Sequence, residues 1–257
     1  MLIDYGRRWR HGHAAIWASC ALVLTCVALP VQARGLDSLD LSHVNFDLAV
    51  SSDYVVHGIT RSQGRPIVQA QLGWTGDSGW ALGTWFSSEN LNPGPGPNRE
   101  IDPYIGKRWM LGRDWSLRSD LTRYMFRPEL EVVAYDYTEL RTALSFRDAV
   151  EVAVGWSPDY SGYSWNGMAD NRTMLTYEVS GHFPATRWLT LNAGLGQRDL
   201  QDAFGASYWY WSAGTETSFQ RWSVALSYIG TSHTADMLYG PRYAGDRFVA
   251  TVALRLQ

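Results

Sequence analysis

The sequence predicts an all-β protein, a single antiparallel transmembrane β-barrel of about 12 strands after a cleaved signal peptide. Three observations favour this fold: an export signal at the start, segments that alternate apolar and polar residues, and aromatic residues beside the short turns between those segments. No shift in composition marks a boundary between two domains. We therefore expect a signal peptide over residues 1–33, a periplasmic N-terminal lead-in over 34–43 and an outer-membrane β-barrel over 44–257.

The first segment has the parts of a secretory signal. Three arginines lie among the first ten residues, an apolar run covers 14–29, and Val31-Gln32-Ala33 offers small residues at a cleavage site. An uncleaved membrane anchor is the alternative, but the apolar run is short for a transmembrane span. Both cysteines of the chain lie in this segment, so the exported chain has no disulfide, thiolate nucleophile or cysteine metal site.

Composition excludes several classes of protein. Hydrophobic residues make up 46% and aromatic residues 14% of the chain, enough to bury a core and to exclude a disordered protein. Charged residues make up only 18%, against about 25% in a usual soluble domain. The net charge of −3, without a basic run, argues against a nucleic-acid partner. Only one apolar run exceeds a dozen residues, which excludes a bundle of membrane helices.

Alternation with a period of two is the main signal in the exported part of the chain. In residues 248–256, one face carries Phe, Ala, Val, Leu and Leu, and the other includes Thr and Arg. Such segments are strands with one apolar face. We place strands near 44–60, 66–75, 80–90, 100–110, 115–126, 133–146, 149–157, 173–183, 188–200, 207–219, 222–233 and 246–257.

The connections between these strands alternate in length. They are short after strands two, four, six, eight and ten, and long after strands three, seven and eleven. This is the plan of an outer-membrane barrel, with short turns at one end and long loops at the other. A membrane interface also favours aromatic residues at the turns, for which a soluble β-sandwich, the alternative, has no need. These aromatic residues are Trp74, Trp80, Trp109, Trp115, Phe146, Phe183, Trp188, Phe219 and Trp222.

The segment SSDYVVHGIT, from Ser51 to Thr60, resembles the opening motif of the Gcw_chp or TorF-like porin family, whose members begin with a pattern like SDYVFRGISQS. His57 stands where the family usually has Arg. The motif positions that we carry over are Asp53, Tyr54, His57 and Gly58. Shorter blocks that resemble those of the family follow in order at 100–106, 137–139, 157–160 and 177–181.

The resemblance covers roughly residues 44–257. It implies an outer-membrane β-barrel, described as a porin, with no established substrate. The partners it implies are outer-membrane lipid and the barrel-assembly machinery. The chain ends Leu256-Gln257, whereas barrel strands usually end in an aromatic residue that this machinery reads.

Charged residues on the faces opposite the apolar ones are the candidate lumen residues. Both signs of charge occur, and two interpretations stay open: a polar channel that selects small ions or solutes, or a ladder of ion pairs that fills a narrow barrel. Glycine and alanine on the same faces leave space and slightly favour a passage. The candidates are Arg118, Asp120, Glu139, Arg141, Glu151, Glu178, Arg198, Glu216 and Arg255, with Asp102 and Arg108 as further ones.

Asp53 and His57 are four residues apart on the first predicted strand, and we therefore expect them on one face. A structural hydrogen-bonding pair is the favoured interpretation, and a pair in the lumen that titrates near neutral pH is the alternative.

No catalytic residue, cofactor or metal site is predicted. Ser232, His233 and Asp236 supply the residue types of a hydrolytic triad, but neighbours in one loop rarely converge on that geometry. The histidines are scattered singly, which does not support zinc. The segment 92–97 contains glycine and proline without a phosphate-binding motif and is expected to be a rigid exposed loop.

Aromatic residues also occur in the long loops. They favour an outer aromatic girdle at the second membrane interface, and stacking on sugars or another surface ligand is the alternative. These residues are Tyr160, Tyr163, Trp165, Phe204, Tyr239 and Tyr243.

Passive passage of small solutes or ions through the lumen is the leading function hypothesis. A closed barrel that acts in structure or surface recognition through its loops is the alternative, and an enzyme that acts on lipid is the least favoured. We expect both termini on the periplasmic side with the short turns, and the long loops outside the cell.

Overall fold

The fold is a closed antiparallel barrel, which confirms the predicted all-β class. The computed structural model describes residues 43–88, 99–127, 136–163 and 169–256. Twelve strands form the wall in the order β1-β14-β13-β12-β11-β10-β9-β8-β7-β6-β5-β4, and β2 pairs only with β3. The strands are β1 (Val44–Ser51), β2 (Val55–Val56), β3 (Ile59–Thr60), β4 (Ile67–Thr75), β5 (Trp80–Ser87), β6 (Arg99–Met110), β7 (Trp115–Arg127), β8 (Tyr137–Phe146), β9 (Val150–Tyr163), β10 (Ala169–Pro184), β11 (Leu189–Leu200), β12 (Ala206–Phe219), β13 (Trp222–Thr231) and β14 (Arg247–Leu256), and the helices are α1 (Gln201–Phe204) and α2 (His233–Tyr239).

The barrel closes between its first and last strands. β1 pairs with β14 from Phe46 opposite Leu256 to Ser51 opposite Thr251. Closure leaves no unpaired sheet edge, which a strand surrounded by lipid cannot tolerate. The short turns and the start of β1 lie at one end of the barrel, here called the turn end, and the longer connections lie at the other, the loop end.

The outer face of the wall is apolar. On β13, for example, Val224 and Leu226 are 53% and 52% exposed, whereas Ser223, Ala225 and Ser227 on the other face are half-buried. A monomeric soluble protein rarely exposes such a continuous apolar surface. None of the helices in the described residues is long and apolar enough to cross a bilayer. The exposed aromatic residues at the turn end are Trp80, Trp109, Trp115, Phe183, Trp188, Phe219 and Trp222.

The first predicted strand, 44–60, is wrong beyond Ser51. β1 ends there, and Ser51 already pairs with Ile67 of β4. Residues 52–66 are therefore an insertion between two directly paired strands, and we call them the inner hairpin. Its strands β2 and β3 are joined by His57 and Gly58, with φ of 50° and 81°. Positive φ at both residues is the geometry of a tight two-residue hairpin turn.

The long loop predicted over 158–172 is also wrong. β9 continues to Tyr163, and β10 already begins at Ala169. The register between the two strands shifts at Arg172 and Met174, which marks an irregularity in the ladder. The end of β9 and the start of β10 lie beyond the apolar part of these strands. They therefore lack the alternation of apolar and polar residues from which the strands were predicted. The predicted signal peptide and the predicted loop at 92–97 lie outside the described residues.

The main apolar cluster lies inside the barrel at the loop end. It contains fully buried Met174, Leu200 and Tyr208 from the wall and Ala235 from α2. Ile59 of the inner hairpin and Phe204 of α1 pack against it. The inner hairpin, α1 and α2 therefore fold inward over the lumen at the loop end.

Candidate functional site

The candidate site is the lumen, where inward-facing side chains meet in layers between the two ends. Near the turn end, Arg255 donates to Asp47 at 3.1 Å, and both side chains are partly exposed. Glu216 of β12 is half-buried on the same side of its strand as Ser212 and Gly214.

A second pair lies on β7. The Nε of Arg118 is 2.7 Å from the Asp120 carboxylate, and the Asp120 carboxylate covers Gly106 of β6. A Cβ at Gly106 would lie 2.1 Å from Asp120 Oδ1, so this glycine makes room for the carboxylate and not for a passage. Arg108 lies two residues closer to the turn end along β6. It donates a hydrogen bond to Ser116 and forms a salt bridge with Asp148.

The best-connected layer is centred on Arg141 of β8. Its Nη2 contacts Glu151 of β9 at 2.8 Å and Glu178 of β10 at 3.1 Å. Ser145 donates to Glu151 at 3.0 Å, and the Tyr210 hydroxyl donates to Glu178 at 2.8 Å. One arginine therefore joins three strands and holds two carboxylates, which a buried ion pair needs to offset its desolvation.

The inner hairpin lies on the loop-end side of this layer. It contacts β6 and β7 on one side of the barrel and β11 to β13 on the other. Arg61 donates to Glu100 of β6 at 2.6 Å, and the Tyr54 hydroxyl donates to the other Glu100 oxygen at 2.9 Å. The Arg61 guanidinium also lies 5.0 Å from the ring centre of Phe126 on β7. Glu100 is fully buried, so the hairpin supplies both groups that neutralise and bind it.

The other side of the inner hairpin contacts β11 to β13. His57 Nδ1 accepts a hydrogen bond from Arg198 Nη1 at 2.6 Å, and its ring meets the Tyr210 ring edge-on at 5.4 Å. Gly58 fits closely against the wall, since a Cβ there would lie 2.3 Å from Thr231 Cγ2. Burial lowers the pKa of His57 well below its usual range, and the Arg198, Arg61 and Arg141 guanidiniums lower it further.

The predicted pairing of Asp53 with His57 is wrong, because the chain turns between them. Asp53 accepts hydrogen bonds from Thr60 at 2.5 Å and Ser62 at 2.7 Å, within the inner hairpin. Its other oxygen lies 3.0 Å from Arg247 Nη1 of β14. Asp53 thus holds the hairpin in shape and attaches it to the last strand.

The outer girdle predicted for the loop aromatics is wrong for Tyr160, Phe204 and Tyr239. Tyr160 meets Phe204 at 6.2 Å between ring centres, and Tyr239 meets Tyr208 at 5.8 Å, inside the loop end. The reason is that α1 and α2 carry two of these rings back over the lumen. The Tyr243 hydroxyl accepts from Gln63 of the inner hairpin. Trp165 and the Tyr163 side chain lie outside the described residues.

Glu139 and Arg198 lie in this same buried region, at 4% exposure each. The Glu139 carboxylate covers Gly155, at 3.1 Å from where a Cβ would be. Asp102 is also 4% exposed and accepts the Met125 backbone N–H. The predicted lumen residues therefore form separate layers, with Arg141, Glu151 and Glu178 together, Arg118 with Asp120, and Arg255 with Asp47.

Several lumen residues were missed from the sequence, chiefly Arg61, Glu100, Tyr210 and Arg247. Arg61 lies in the polar run that breaks the alternation after Ser51, and that break is the signal that could have revealed an insertion.

The triad residue types do not assemble. Ser232 Oγ accepts from the Trp209 backbone N–H at 3.1 Å, while His233 is 84% exposed and lies 3.7 Å from Asp236. His182, another of the singly placed histidines, forms a hydrogen bond with Asn192 at 2.9 Å. Among the described residues, no group of three or more His, Cys, Asp or Glu could hold a metal ion.

Solved structures show the same kind of barrel. The KdgM porin matches with a TM-score of 0.52 and 10% identity, over 83% of this chain and 99% of that one. The NanC porin matches with a TM-score of 0.56 and 7% identity, over 82% and 99%. At these identities the likeness extends to the fold alone. No curated protein sequence matches the chain.

A family model described as "Bacterial protein of unknown function (Gcw_chp)" matches residues 40–255. This range includes every wall strand almost to the end of β14 and the whole inner hairpin. The chain therefore belongs to the Gcw_chp family.

Proposed function

We propose that this chain is an outer-membrane porin that lets small solutes or ions diffuse through its lumen, without covalent chemistry. One observation carries the proposal: a closed wall of 12 strands is apolar outside and lined with charged side chains inside. That arrangement satisfies backbone groups in lipid while it offers a polar path. The fold shared with two porins, KdgM and NanC, supports it, and the assignment of the chain to the TorF-like porins is part of the proposal.

The orientation and export route are part of the proposal. Residues 1–33 would be removed as a signal peptide, and residues 34–43 would lead into the barrel from the periplasm. The turn end would face the periplasm and the loop end the outside. Outer-membrane lipid would contact the exposed apolar face, and the barrel-assembly machinery would insert the chain.

The predicted lumen residues would line the path in this function. Half-buried Glu216 and the Arg255 pair would meet solutes near the turn end, and the Arg141 layer would form the middle. The inner hairpin would form the narrowest part, because it contacts β6 on one side and β11 on the other. Passage would then depend on how far the hairpin moves.

A second candidate is a closed barrel that acts through its loop end. The observation that favours it is the filling of the loop end, where Met174, Leu200 and Tyr208 have no exposed surface. Such a barrel would present α2 and neighbouring loops to a surface ligand.

The two candidates are separated by recording currents from the refolded protein, without residues 1–33, in planar bilayers. A shift in gel mobility on boiling demonstrates that the same sample is a folded barrel. Discrete current steps would support the porin. A folded barrel that never conducts, at neutral or acidic pH, would rule it out and favour the closed barrel.

A further inference from the structure

Arg198 differs from the other, less buried arginines of the lumen in its partners. Its side chain is 4% exposed, its Nε meets Met174 Sδ at 2.8 Å, and its Nη1 meets His57 at 2.6 Å. In the part of the chain that the structure describes, no carboxylate oxygen pairs with it. Arg61, Arg141 and Arg247 each contact at least one carboxylate. Arg198 acts electrostatically on the Glu139 carboxylate without forming a salt bridge to it. A buried guanidinium without a directly paired anion is costly, which makes this position a candidate for binding a ligand.

The strands on either side of Arg198 add two hydroxyl groups. Thr176 of β10 and Tyr208 of β12 lie directly opposite Arg198 in the ladder. All three are at least 96% buried. Thr176 Oγ1 has no hydrogen-bond partner among the described atoms, and the Tyr208 hydroxyl lies beside the Arg198 guanidinium without a well-aligned hydrogen bond to Nη2. Buried polar groups normally have well-formed partners. Three adjacent strands therefore present three polar groups side by side that an anionic ligand could engage.

One acceptor completes this group of side chains. Glu139 Oε2 is also buried without a partner, and its carboxylate lies over Gly155, the neighbour of Thr176 in the ladder. A ligand that binds the three donors through an anionic group would thus find an acceptor for a hydroxyl nearby. The Tyr160 ring, 5.1 Å from the Arg198 guanidinium, provides an aromatic wall.

In the structure, His57 already accepts a hydrogen bond from Nη1 of the Arg198 guanidinium. A neutral imidazole is a weaker acceptor for a guanidinium than a carboxylate, which can bind Nη1 and Nη2 together. The burial of His57 keeps it neutral. An arriving carboxylate would replace His57 at Nη1 and bind Nη2 at the same time.

We propose that Arg198, Thr176 and Tyr208 form a binding site for the carboxylate of a small hydroxycarboxylic acid, and that His57 of the inner hairpin competes for it. The proposal rests on the proposed function, since it names the class of solute. Binding at this site pushes the turn of the inner hairpin off β11, so the solute itself opens the narrowest part of the lumen.

The test is isothermal titration of the folded, detergent-solubilised chain at fixed ionic strength with sodium gluconate, sorbitol or inorganic phosphate. Gluconate and sorbitol share a six-carbon polyhydroxy chain and differ in the carboxylate. We expect gluconate to bind and sorbitol not to bind. Equal binding of both, or binding of phosphate without gluconate, would overturn the carboxylate assignment.

Variants locate the site. Arg198→Gln is expected to weaken gluconate binding by about tenfold or more, because a charge-assisted bidentate contact is lost. His57→Ala is expected to tighten binding, because the competitor is gone. Arg123→Gln is the matched control, since Arg123 is 41% exposed and pairs with Asp159 away from this group. Unchanged affinity in the first two variants would refute the site.

Folding is checked in each variant by heat-modifiable gel mobility. If Arg198→Gln does not fold, Tyr208→Phe, which removes one donor, replaces it and is expected to weaken binding. Channel formation is measured separately in potassium chloride. A chain that conducts but does not bind gluconate refutes this site and leaves the porin, whereas a silent chain that binds gluconate does the opposite.

Discussion

The loop half and the turn half of the lumen are built from the same strands but use their inward side chains differently. In the loop half, Glu100, Arg198 and Tyr208 are almost completely buried against the inner hairpin and α2. In the turn half, inward residues such as Ser223, Glu216 and Arg255 are half-buried or exposed. The wall is the same in both halves, so what separates a filled lumen from an accessible one is the chain inserted into it.

Removal of the inner hairpin should have the largest effect on the difference between the filled loop half and the accessible turn half. Because Ser51 and Ile67 already pair, residues 52–66 can be replaced by Asn-Gly without stretching the wall. We expect a conductance several-fold above that of the intact protein, measured in planar bilayers. A folded variant with unchanged conductance would show that the hairpin does not limit passage.

A single methyl group on the turn of the inner hairpin should loosen the same contact. At Gly58→Ala the new Cβ would clash with Thr231, and we expect about 1–3 kcal/mol of destabilisation of the docked hairpin, with a higher conductance. Gly64→Ala is the control, because Gly64 shares a positive φ but has no atom within 4 Å of the Cβ position. Equal effects in both variants would attribute the change to backbone strain alone.

Acid should weaken the docking of the hairpin. The pKa of docked His57 is lowered, chiefly by burial and then by Arg198, Arg61 and Arg141. The docked state is therefore fully stable above the ordinary histidine pKa of about 6.5 and loses stability as the pH falls below it, because only the released imidazole binds the proton. We expect conductance to rise between pH 7.5 and pH 5, about one and a half pH units below that pKa.

His57→Gln serves as the reference for this pH series. Its conductance should change less than that of the wild type over the same interval, since glutamine does not titrate and the carboxylates of Glu139 and Asp102 are common to both proteins. A wild-type profile as flat as that of the variant would contradict the role of His57.

The smallest change in conductance is expected from the pair of Arg255 and Asp47 near the turn end. Arg255 and Asp47 are 47% and 35% exposed, and such a pair contributes about 1 kcal/mol or less. Arg255→Gln should leave the conductance nearly unchanged and shift the reversal potential in a salt gradient slightly toward cation selectivity. A large fall in conductance would mean that the turn half, and not the hairpin, is limiting.

The wall was predictable from the sequence because two different solvents act on alternate residues. Val224 and Leu226 lie on the exposed apolar face, which suits lipid, while Ser223 and Ala225 lie on the inner face. The inner hairpin has no such alternation. Its position depends on contacts such as that of His57 with Arg198, which are 141 residues apart in the chain, and single-sequence patterns do not report such pairs.

The glycines of the lumen illustrate the same limit. Composition suggested free space beside Gly155 and Gly196, but the Glu139 carboxylate and the Tyr210 ring lie over them. Which neighbour fills a small position is decided by the register between strands. The sequence therefore predicted which charged residues face inward, such as Arg141 and Glu178, but not which of them contact one another.

The bond between Arg247 and Asp53 has a consequence for the order in which the molecule is made. Asp53 follows the first wall strand, and Arg247 begins the last one, so the two residues meet only when the seam closes. This ion pair therefore cannot form before β1 and β14 are side by side. Closure of the seam and this attachment of the inner hairpin to the last strand are thus coupled, and a chain with an open seam lacks the contact.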